Sequence, residues 1–259
     1  MQHYVTHNFR ADARAILAVA ARYGIPIPPM EPEHRLLQSI VRHGDVALDI
    51  GANVGAYTLQ LSRLVGSLGR VIAVEPYGPS ARRLRLLARA FRSKNIELLE
   101  NPVWNESSKI RLSTAQPARG GALDGFVHVV SQDEPRPTSV QATTIDELAA
   151  TRLIPRIDFI KCDVEGAEWM VLAGGAKVIS RDLPMLLLET EDRWATRYGH
   201  SRRDVLDLVS TYGSYSFFVY SGGSLRSADE SVGKTNNVVA IPASRRRRVS
   251  HLLPSVRDL

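Results

Sequence analysis

Three acidic residues, Asp49, Glu75 and Asp163, each lie at the end of a short apolar run, and Glu165 follows two positions after the last of them. A carboxylate in such a place can accept hydrogen bonds from ligand hydroxyls or take a proton as a general base. Apolar runs of this length are typical of strands buried on both faces of a parallel sheet. The carboxyl ends of such strands meet at one edge, so we expect these acids to line a single crevice.

A glycine turn connects the first of these strands to a helical pattern. Gly51 and Gly55 bracket the turn, where only glycine lets the backbone come close to a ligand. Asn53 is predicted to be the N-cap of a helix over residues 54–65, whose apolar residues recur at helical spacing. The free amides of that helix would point at the carboxyl edge of the sheet, a place that suits a nucleotide-like ligand.

The glycine spacing indicates which ligand. A dinucleotide fingerprint would need glycines at positions 51, 53 and 56, but the chain has Asn53 and Ala56. The segment Asp49-Ile-Gly-Ala-Asn-Val-Gly55 instead resembles motif I of the class I S-adenosylmethionine (SAM) methyltransferases. SAM carries a cationic sulfonium, an amino acid end and a ribose, which suit an acid and open backbone. Glu75 would accept hydrogen bonds from the ribose hydroxyls.

A second informative stretch is Lys161-Cys-Asp-Val-Glu-Gly-Ala-Glu168, where a buried strand delivers acids to the start of a helix. Together with the segment at 49–55 and Val74-Glu-Pro76, it resembles the FkbM family of SAM-dependent methyltransferases. Further matches to the family occur in chain order at Asn101 to Ser107, Thr144-Ile-Asp146 and Leu187-Leu-Glu189. The resemblance covers roughly residues 45 to 240.

The resemblance implies a class I methyltransferase fold and transfer of a methyl group to a hydroxyl. The family's usual acceptors are polyketide-like natural products and the hydroxyls of sugars or glycolipids. It also implies a cofactor site. The turn residues Asp49, Gly51, Asn53 and Gly55 would line the methionine end of SAM, and Glu75 would hold the ribose. The backbone near Asn101 and Val103 would border the adenine, and Asp163 would face the crevice.

Asp163 and Glu165 are the candidate catalytic residues, because an alcohol acceptor must lose its proton. The dipole of the following helix is expected to keep both carboxylates ionised. Glu168 is interpreted as a helix-start residue, and Glu189, at another strand end, is a further candidate for the base. A divalent metal bridging these acids to the acceptor is conceivable, but no histidine accompanies the turn, so no metal site is predicted.

Alternatives remain open. A nucleotide-sugar oxidoreductase on the same fold is disfavoured by the missing middle glycine. A non-catalytic SAM-binding protein would carry the same ligand residues. RNA or protein methylation is the remaining possibility, but enzymes that methylate base amino groups carry a Pro-Pro-aromatic signature where this chain has Val164-Glu-Gly166. No nucleic acid partner is therefore expected.

The order of apolar runs and helical patterns from residue 45 onward predicts an α/β fold with a doubly wound, mostly parallel, seven-stranded, Rossmann-like sheet. We expect residues 1–44 to be a helical extension, 45–242 the methyltransferase domain and 243–259 a basic tail. Between about 107 and 140 the helical period is lost and alternating pieces predict a β insertion.

Composition sets outer limits. The chain has 259 residues, 44% of them apolar, and a single cysteine, Cys162, which suits a reducing compartment. No apolar run is long enough to span a bilayer, so a cytoplasmic location is expected. Of the net charge of +6, Arg245–Arg248 supply four charges and leave +2 for the rest. This run is interpreted as a solvated terminus, and any membrane contact would come from it. The oligomeric state cannot be deduced.

Overall fold

The structure, a computed structural model, describes residues 16–19, 31–115, 126–129, 138–228 and 235–253. Its centre is an eight-stranded mixed sheet. The eight strands are β1 (Val46–Ile50), β2 (Arg70–Val74), β3 (Ile96–Leu99), β7 (Phe159–Cys162), β8 (Met185–Glu189), β9 (Tyr215–Ser221), β10 (Ser224–Ser227) and β11 (Asn237–Pro242). A second sheet holds β4 (Lys109–Ala115), β5 (Phe126–Val129) and β6 (Thr138–Gln141).

Eight α-helices of the described residues connect or cover these strands, and residues 16–19 are also helical. The eight are α1 (Glu33–Ile40), α2 (Ala56–Val65), α3 (Gly78–Ala90), α4 (Ile145–Thr151), α5 (Glu168–Ala173), α6 (Ala176–Asp182), α7 (Asp192–Ala195) and α8 (Arg202–Tyr212). A ten-residue 3₁₀ helix, Ala243–Leu252, follows β11.

The strand order is β10-β9-β11-β8-β7-β1-β2-β3, with β3, β2, β1, β7 and β8 parallel and β11 antiparallel to both of its neighbours. The chain leaves β1 toward β2 on one side and returns through β7 on the other. The carboxyl edge of β1 and β7 is therefore the switch point where ligands of doubly wound sheets bind.

Each face of the sheet is covered by its own set of helices. Alternate residues of each strand point to opposite faces, so Leu48 and Ile160 join one core while Ala47 and Phe159 join the other. The first core includes residues of α4, α5, α6 and α8, and the second includes α1, α2 and the C-terminal 3₁₀ helix. Both faces are apolar, which explains why the parallel strands are near-continuous hydrophobic runs.

The second sheet is joined to the rest through two adjacent chain segments. Val103 and Thr143 form a parallel bridge; Thr143 N–H donates to the carbonyl of Pro102 at 3.0 Å and Trp104 N–H to that of Thr143 at 2.8 Å. The entry into the insertion and the exit from it therefore lie side by side. The sequence predicted a β insertion between about 107 and 140, and the structure has three strands there, β4, β5 and β6.

The predicted α/β class and doubly wound sheet are confirmed, with eight strands instead of seven. The extra strand is β10, which pairs with β9 in antiparallel register across Gly222 and Gly223. Both glycines have positive φ, 59° and 86°, as a two-residue hairpin turn requires. Of the predicted helical extension over residues 1–44, residues 16–19 and α1 are helical, and residues 1–15 and 20–30 lie outside the described residues, as does the end of the tail.

The interpretation of Arg245–Arg248 as solvated is wrong for two of the four arginines. Arg245 lies within 3.0 Å of Asp158 at the start of β7, and Arg248 lies within 2.8 Å of Asp45 just before β1. Both aspartates are buried, so each arginine neutralises a charge that burial would otherwise penalise. Arg246 and Arg247 are exposed, as expected. Within the described chain no helix has the length and apolarity to cross a bilayer.

Candidate active site

The turn after β1 is packed directly against the end of β7. Gly51 has φ +83°, and a Cβ there would overlap the carbonyl oxygen of Asp163. Gly55 has φ +96°, and a Cβ there would overlap the side chain of Leu84 on α3. Glycine is therefore required at position 51 by close backbone approach as well as by conformation, and at position 55 by its positive φ.

Asn53 is not the N-cap of the helix that follows, which corrects the sequence-based prediction. The helix α2 begins at Ala56 with Gly55 as its N-cap, because the left-handed Gly55 delays the first helical turn by two residues. Asn53 itself has φ +48°, and its side-chain Oδ1 is buried without a protein partner. An acceptor atom in this state is available to a ligand donor.

Glu75 fastens the turn to the end of β2. One carboxylate oxygen accepts from the amide of Asn53 at 2.7 Å and the other from the amide of Tyr77 at 2.8 Å. Burial raises the pKa of Glu75 to about 7, although both amide bonds oppose that shift. Each oxygen keeps a second lone pair, so the carboxylate can still accept from hydroxyls.

Asp49 lies under the turn and is fully buried. Thr58 on α2 donates its hydroxyl to Oδ2 at 2.5 Å, while Oδ1 has no protein partner. Burial raises the pKa of Asp49, and the neighbouring ammonium of Lys161 acts in the opposite direction. Asp49 and Lys161 stand opposite each other in the register of β1 and β7.

The acidic turn between β7 and α5 is shaped by Glu168. Its Oε1 accepts from the amides of Val164 at 2.9 Å and Gly166 at 3.2 Å, so this side chain closes the turn upon itself. Burial raises the pKa of Glu168 to about 7. Gly166 has φ +97°, and a Cβ there would overlap the backbone of Trp194, so the turn is also locked against α7. These contacts give Glu168 a structural role.

Glu165 occupies a left-handed backbone conformation with φ +56°, which is uncommon for a residue other than glycine. Burial, followed by the charges of Asp163, Glu168 and Glu191, raises the pKa of Glu165 to about 8. The prediction that the helix dipole keeps this carboxylate ionised is therefore wrong near neutral pH. The helix α5 has only six residues, and burial together with the surrounding negative charges opposes the effect of its dipole on Glu165.

Asp163 is the acid of this turn that pairs with Lys161. Lys161 donates to its Oδ2 at 2.8 Å, and the side chain of Asp163 is 28% exposed. Burial acts to raise the pKa of Asp163, but the Lys161 ammonium and a hydrogen bond from Glu189 hold it below its ordinary value. Burial and that same hydrogen bond raise the pKa of Glu189.

A polar group contributed by the front of the chain closes the same edge of the sheet. Tyr57 donates its hydroxyl to Glu31 at 2.7 Å, and Asn237 donates its side-chain amide to the same oxygen of Glu31 at 3.3 Å. Asn237, the first residue of β11, stands opposite Glu189. Sequence reasoning gave no role to Glu31, Tyr57 or Lys161. A lysine inside a buried apolar strand was the available signal, since such a charge needs a partner.

Asn101 and Val103 lie at the base of the second sheet. The side chain of Asn101 is exposed and donates to the carbonyl of Gln141 at 3.1 Å, whereas Val103 is 4% exposed and belongs to a core cluster. The structure thus brings together Asp49, Asn53, Glu75, Asp163 and Glu165, with Asn101 and Val103 at the entry to the insertion. Among the described residues, no group of three or more His, Cys, Asp or Glu side chains is arranged to hold a metal ion.

The family model described as "Methyltransferase FkbM domain" matches residues 49–215, which include the glycine turn, Glu75 and the acidic turn. The match covers more than half of the 259 residues. The chain belongs to the FkbM methyltransferase family.

Several solved methyltransferases have similar structures. Methyltransferase FkbM from Methylobacillus flagellatus KT is 17% identical, with a TM-score of 0.49, and the match covers 90% of this chain but only 57% of that one. The O-methyltransferase from Bacillus cereus in complex with SAH is 15% identical, covers 93% of both chains and has a TM-score of 0.46. Precorrin-6y C5,15-methyltransferase from Geobacter metallireducens GS-15 is 13% identical, covers 83% of this chain and 86% of that one, and has a TM-score of 0.45.

At these identities and scores, the family assignment rests on the match to the family model. A comparison with curated protein sequences gave no significant match.

Proposed function

We propose that this chain transfers the methyl group of SAM to a hydroxyl of a small molecule, a natural product or a sugar or glycolipid. The observation that carries the proposal is the convergence of Asp49, Glu75 and Asp163 at the switch point, around a turn whose Asn53 Oδ1 has no protein partner. Membership of the FkbM family supports the methyltransferase activity.

The residues present fit SAM in chemical terms. The ribose offers two hydroxyl donors, and Glu75 has one free lone pair on each oxygen beyond its amide bonds. The methionine end offers an ammonium donor, and Asp49 Oδ1 and Asn53 Oδ1 are acceptors without protein partners. When bound, SAM supplies an electrophilic methyl group on a sulfonium with a good leaving group. Most of the acceleration should then come from aligning the acceptor oxygen with that methyl group.

Asp163 is the proposed base, because it is the partly exposed carboxylate of the cluster that Lys161 keeps ionised. The pKa of Glu165, raised to about 8, favours its protonated form, which would donate a hydrogen bond to the acceptor oxygen instead of taking its proton. A hydroxyl acceptor matches this arrangement, since an alcohol must lose a proton during transfer and an ionised carboxylate can receive it.

Calorimetry with SAM, S-adenosylhomocysteine and NAD tests the cofactor. We expect the first two to bind and NAD not to bind, which would separate the methyltransferase from an oxidoreductase. Gly51→Ala should abolish SAM binding, because its Cβ would overlap the Asp163 carbonyl. Gly223→Ala is the matched control: Gly223 has nearly the same φ, +86°, but open space around its Cβ. Equal loss of binding in both variants would contradict the assignment of the turn.

Transfer from SAM with a radiolabelled methyl group to a panel of hydroxylated acceptors tests the reaction. An O-methyl ether resists mild base, whereas a methyl ester releases its label. We expect a base-stable product and one S-adenosylhomocysteine per methyl group transferred. SAM binding without transfer to any sugar or natural-product acceptor would favour the non-catalytic alternative.

A further inference from the structure

The face of the main sheet beneath α1 and α2 is apolar except at the carboxyl edge of the strands. Ala47, Phe159 and Leu187 lie on that face in β1, β7 and β8. Because side chains alternate along a strand, Asp49, Lys161 and Glu189 occupy the next positions on the same face, at the carboxyl edge. A buried polar layer thus lies between the hydrophobic core and the crevice where the acids meet.

Lys161 is the one cation of this layer, and its ammonium is fixed from several directions. Its side chain is 6% exposed, and its Nζ lies 2.8 Å from Asp163 Oδ2 and 4.6 Å from the centroid of the Tyr57 ring. Desolvation would lower the pKa of Lys161, but Asp163 and Asp49 raise it above its ordinary value. The ammonium is therefore charged at neutral pH.

The aromatic side of this cation is held by the front of the chain. His34 of α1 stacks on the Tyr57 ring with centroids 4.0 Å apart, and Glu31 accepts the hydroxyl of Tyr57. These contacts leave the ring little freedom to move away from Lys161. The titratable groups around the ammonium are Asp49 of β1, Tyr57 of α2, Asp163 of the acidic turn, Glu189 of β8 and His34 of α1. Beyond them, Glu31 accepts from Tyr57, and Glu165 is an acidic neighbour of Asp163.

Cys162 and Leu188 are register partners on the parallel strands β7 and β8, so Asp163 and Glu189 come next, side by side at the carboxyl edge and on the same face as Lys161. A hydrogen bond between their carboxyl groups lowers the pKa of Asp163 and raises that of Glu189. Two carboxyl groups in direct hydrogen-bonding contact hold one proton between them. If both were ionised, their negative charges would repel each other, and if both were neutral, the ammonium of Lys161 would have no anion to pair with. Which of the two carries the charge depends on the surroundings. Lys161 contacts Asp163 at 2.8 Å, whereas Glu189 faces Asn237, a neutral residue.

We propose that Lys161 is a positioning residue that assigns the single negative charge of the Asp163–Glu189 pair to Asp163, so that one ionised carboxylate faces the acceptor. The catalytic part of this inference rests on the proposed function, but the charge assignment does not. In the transfer, the acceptor oxygen forms a bond to the methyl carbon, the carbon–sulfur bond breaks and its electron pair stays on sulfur. The acceptor proton passes to Asp163 and then to solvent.

Titration of the side-chain carboxyl carbons by ¹³C NMR in the protein without ligands tests the charge assignment. Asp163→Asn and Glu189→Gln spectra assign the two signals. In the wild type, one signal should titrate below the ordinary range of an aspartate and the other well above that of a glutamate. Lys161→Met keeps the length of the side chain without its charge, and should raise the lower midpoint by at least one pH unit, a tenfold change in proton affinity.

Lys177→Met is the matched control, since Lys177 is exposed on α6 and the same substitution there should move neither midpoint. Unchanged midpoints in Lys161→Met would overturn the proposal. If Lys161→Met does not fold, Asp163→Asn decides: it removes the neighbouring charge, so the midpoint of Glu189 should fall, and an unaltered Glu189 would contradict the pairing.

This titration needs neither SAM nor an acceptor. A protein that shows the paired titration but does not bind SAM would refute the proposed function and leave the charge assignment standing. A protein that binds SAM but titrates the two carboxyl groups independently would refute the charge assignment and leave the proposed function standing.

Discussion

The amide nitrogen of Asn53 lies 2.7 Å from a carboxylate oxygen of Glu75, and this bond joins the turn after β1 to the end of β2. The residue proposed to hold the ribose also holds the turn proposed to surround the methionine end. Changes at Glu75 should therefore affect both ends of the cofactor, and its protonation should be linked to binding.

The first prediction concerns this linkage. Burial raises the pKa of Glu75 to about 7, and ribose hydroxyls would donate to its ionised form, so SAM should bind more tightly as pH rises through about 7 and release protons below it. Calorimetry in buffers of different ionisation enthalpy measures that release. Glu75→Gln should flatten the pH dependence, and Glu75→Ala should weaken SAM by about 1.5–3 kcal/mol. Unaltered affinity in Glu75→Ala would refute the ribose assignment.

The second prediction separates the two candidate catalytic acids. Because the pKa of Asp163 is lowered, a reaction that uses it as base should have a flat kcat profile from about pH 5.5 to 7.5. A reaction that used Glu165 would instead accelerate about tenfold per pH unit until about pH 8. Release of S-adenosylhomocysteine with an active hydroxyl acceptor gives the profile.

Variants of the same two acids provide the control. Asp163→Asn should lower kcat by about 10²–10⁴-fold and also weaken SAM. Glu165→Gln should slow turnover less and leave SAM affinity unchanged. Full activity in both variants would move the base to another residue, with Glu189 the first to examine.

The third prediction concerns stability and pH. Burial raises the pKa of Glu168 to about 7, so the folded protein binds this proton more tightly than the unfolded chain. Its contribution to stability is present in full below about pH 4.5 and is lost as pH rises through about 7, a change of roughly 3 kcal/mol. Glu168→Gln keeps an oxygen for the amides of Val164 and Gly166 and cannot ionise.

Denaturant unfolding at several pH values measures this effect. The stability of Glu168→Gln should fall less between pH 5 and 8 than that of the wild type. Glu106→Gln, at an exposed glutamate, is the control and should follow the wild type. Parallel pH curves for the wild type and Glu168→Gln would contradict the buried, protonated state of Glu168.

The fourth prediction concerns the arginine run after β11. Arg245→Ala should destabilise the protein by about 1.5–3 kcal/mol, because it leaves the buried Asp158 without its Nη1 contact and removes bonds to the carbonyls of Asp182 and Leu183. Arg246→Ala, one position along and exposed, should leave the midpoint of thermal unfolding unchanged. Equal effects of the two substitutions would restore the interpretation of the run as a solvated tail.

Local patterns predicted most of the main sheet. The apolar run Met185–Glu189 coincides with β8, Ser201 and Asp204 have the spacing of the capping box that they form at the start of α8, and Gly174-Gly175 separates α5 from α6. These features depend on neighbouring residues, so their signals lie within a few positions. The strand β10 was missed because its four residues have little apolar alternation, although Gly222-Gly223 is a hairpin signal.

The candidate site was predictable only in part. Acids at strand ends are visible in a sequence, and three of them, Asp49, Glu75 and Asp163, converge here. Asn53 and Glu165, in the turns that follow two of these strands, lie beside them. The ionisation of Glu165 was mispredicted because its raised pKa depends first on burial, which only the fold creates, and also on the charge of Glu191, 26 positions away. The charges of Asp163 and Glu168 were visible in the sequence. The roles of Arg245 and Arg248 depend on partners 87 and 203 positions away, which no local pattern indicates.

The side-by-side entry and exit of the second sheet, at Pro102–Trp104 and Thr143, have a consequence for engineering. Two chain ends that already lie in contact can be reconnected by a short linker without moving the strands below them. The sheet of β4, β5 and β6 can thus be removed or replaced as a unit while the main sheet keeps its structure. A short Gly-Ser link from Trp104 to Thr143 should leave the cofactor end of the protein folded, and grafting the corresponding module of another family member should exchange whatever selectivity that module confers.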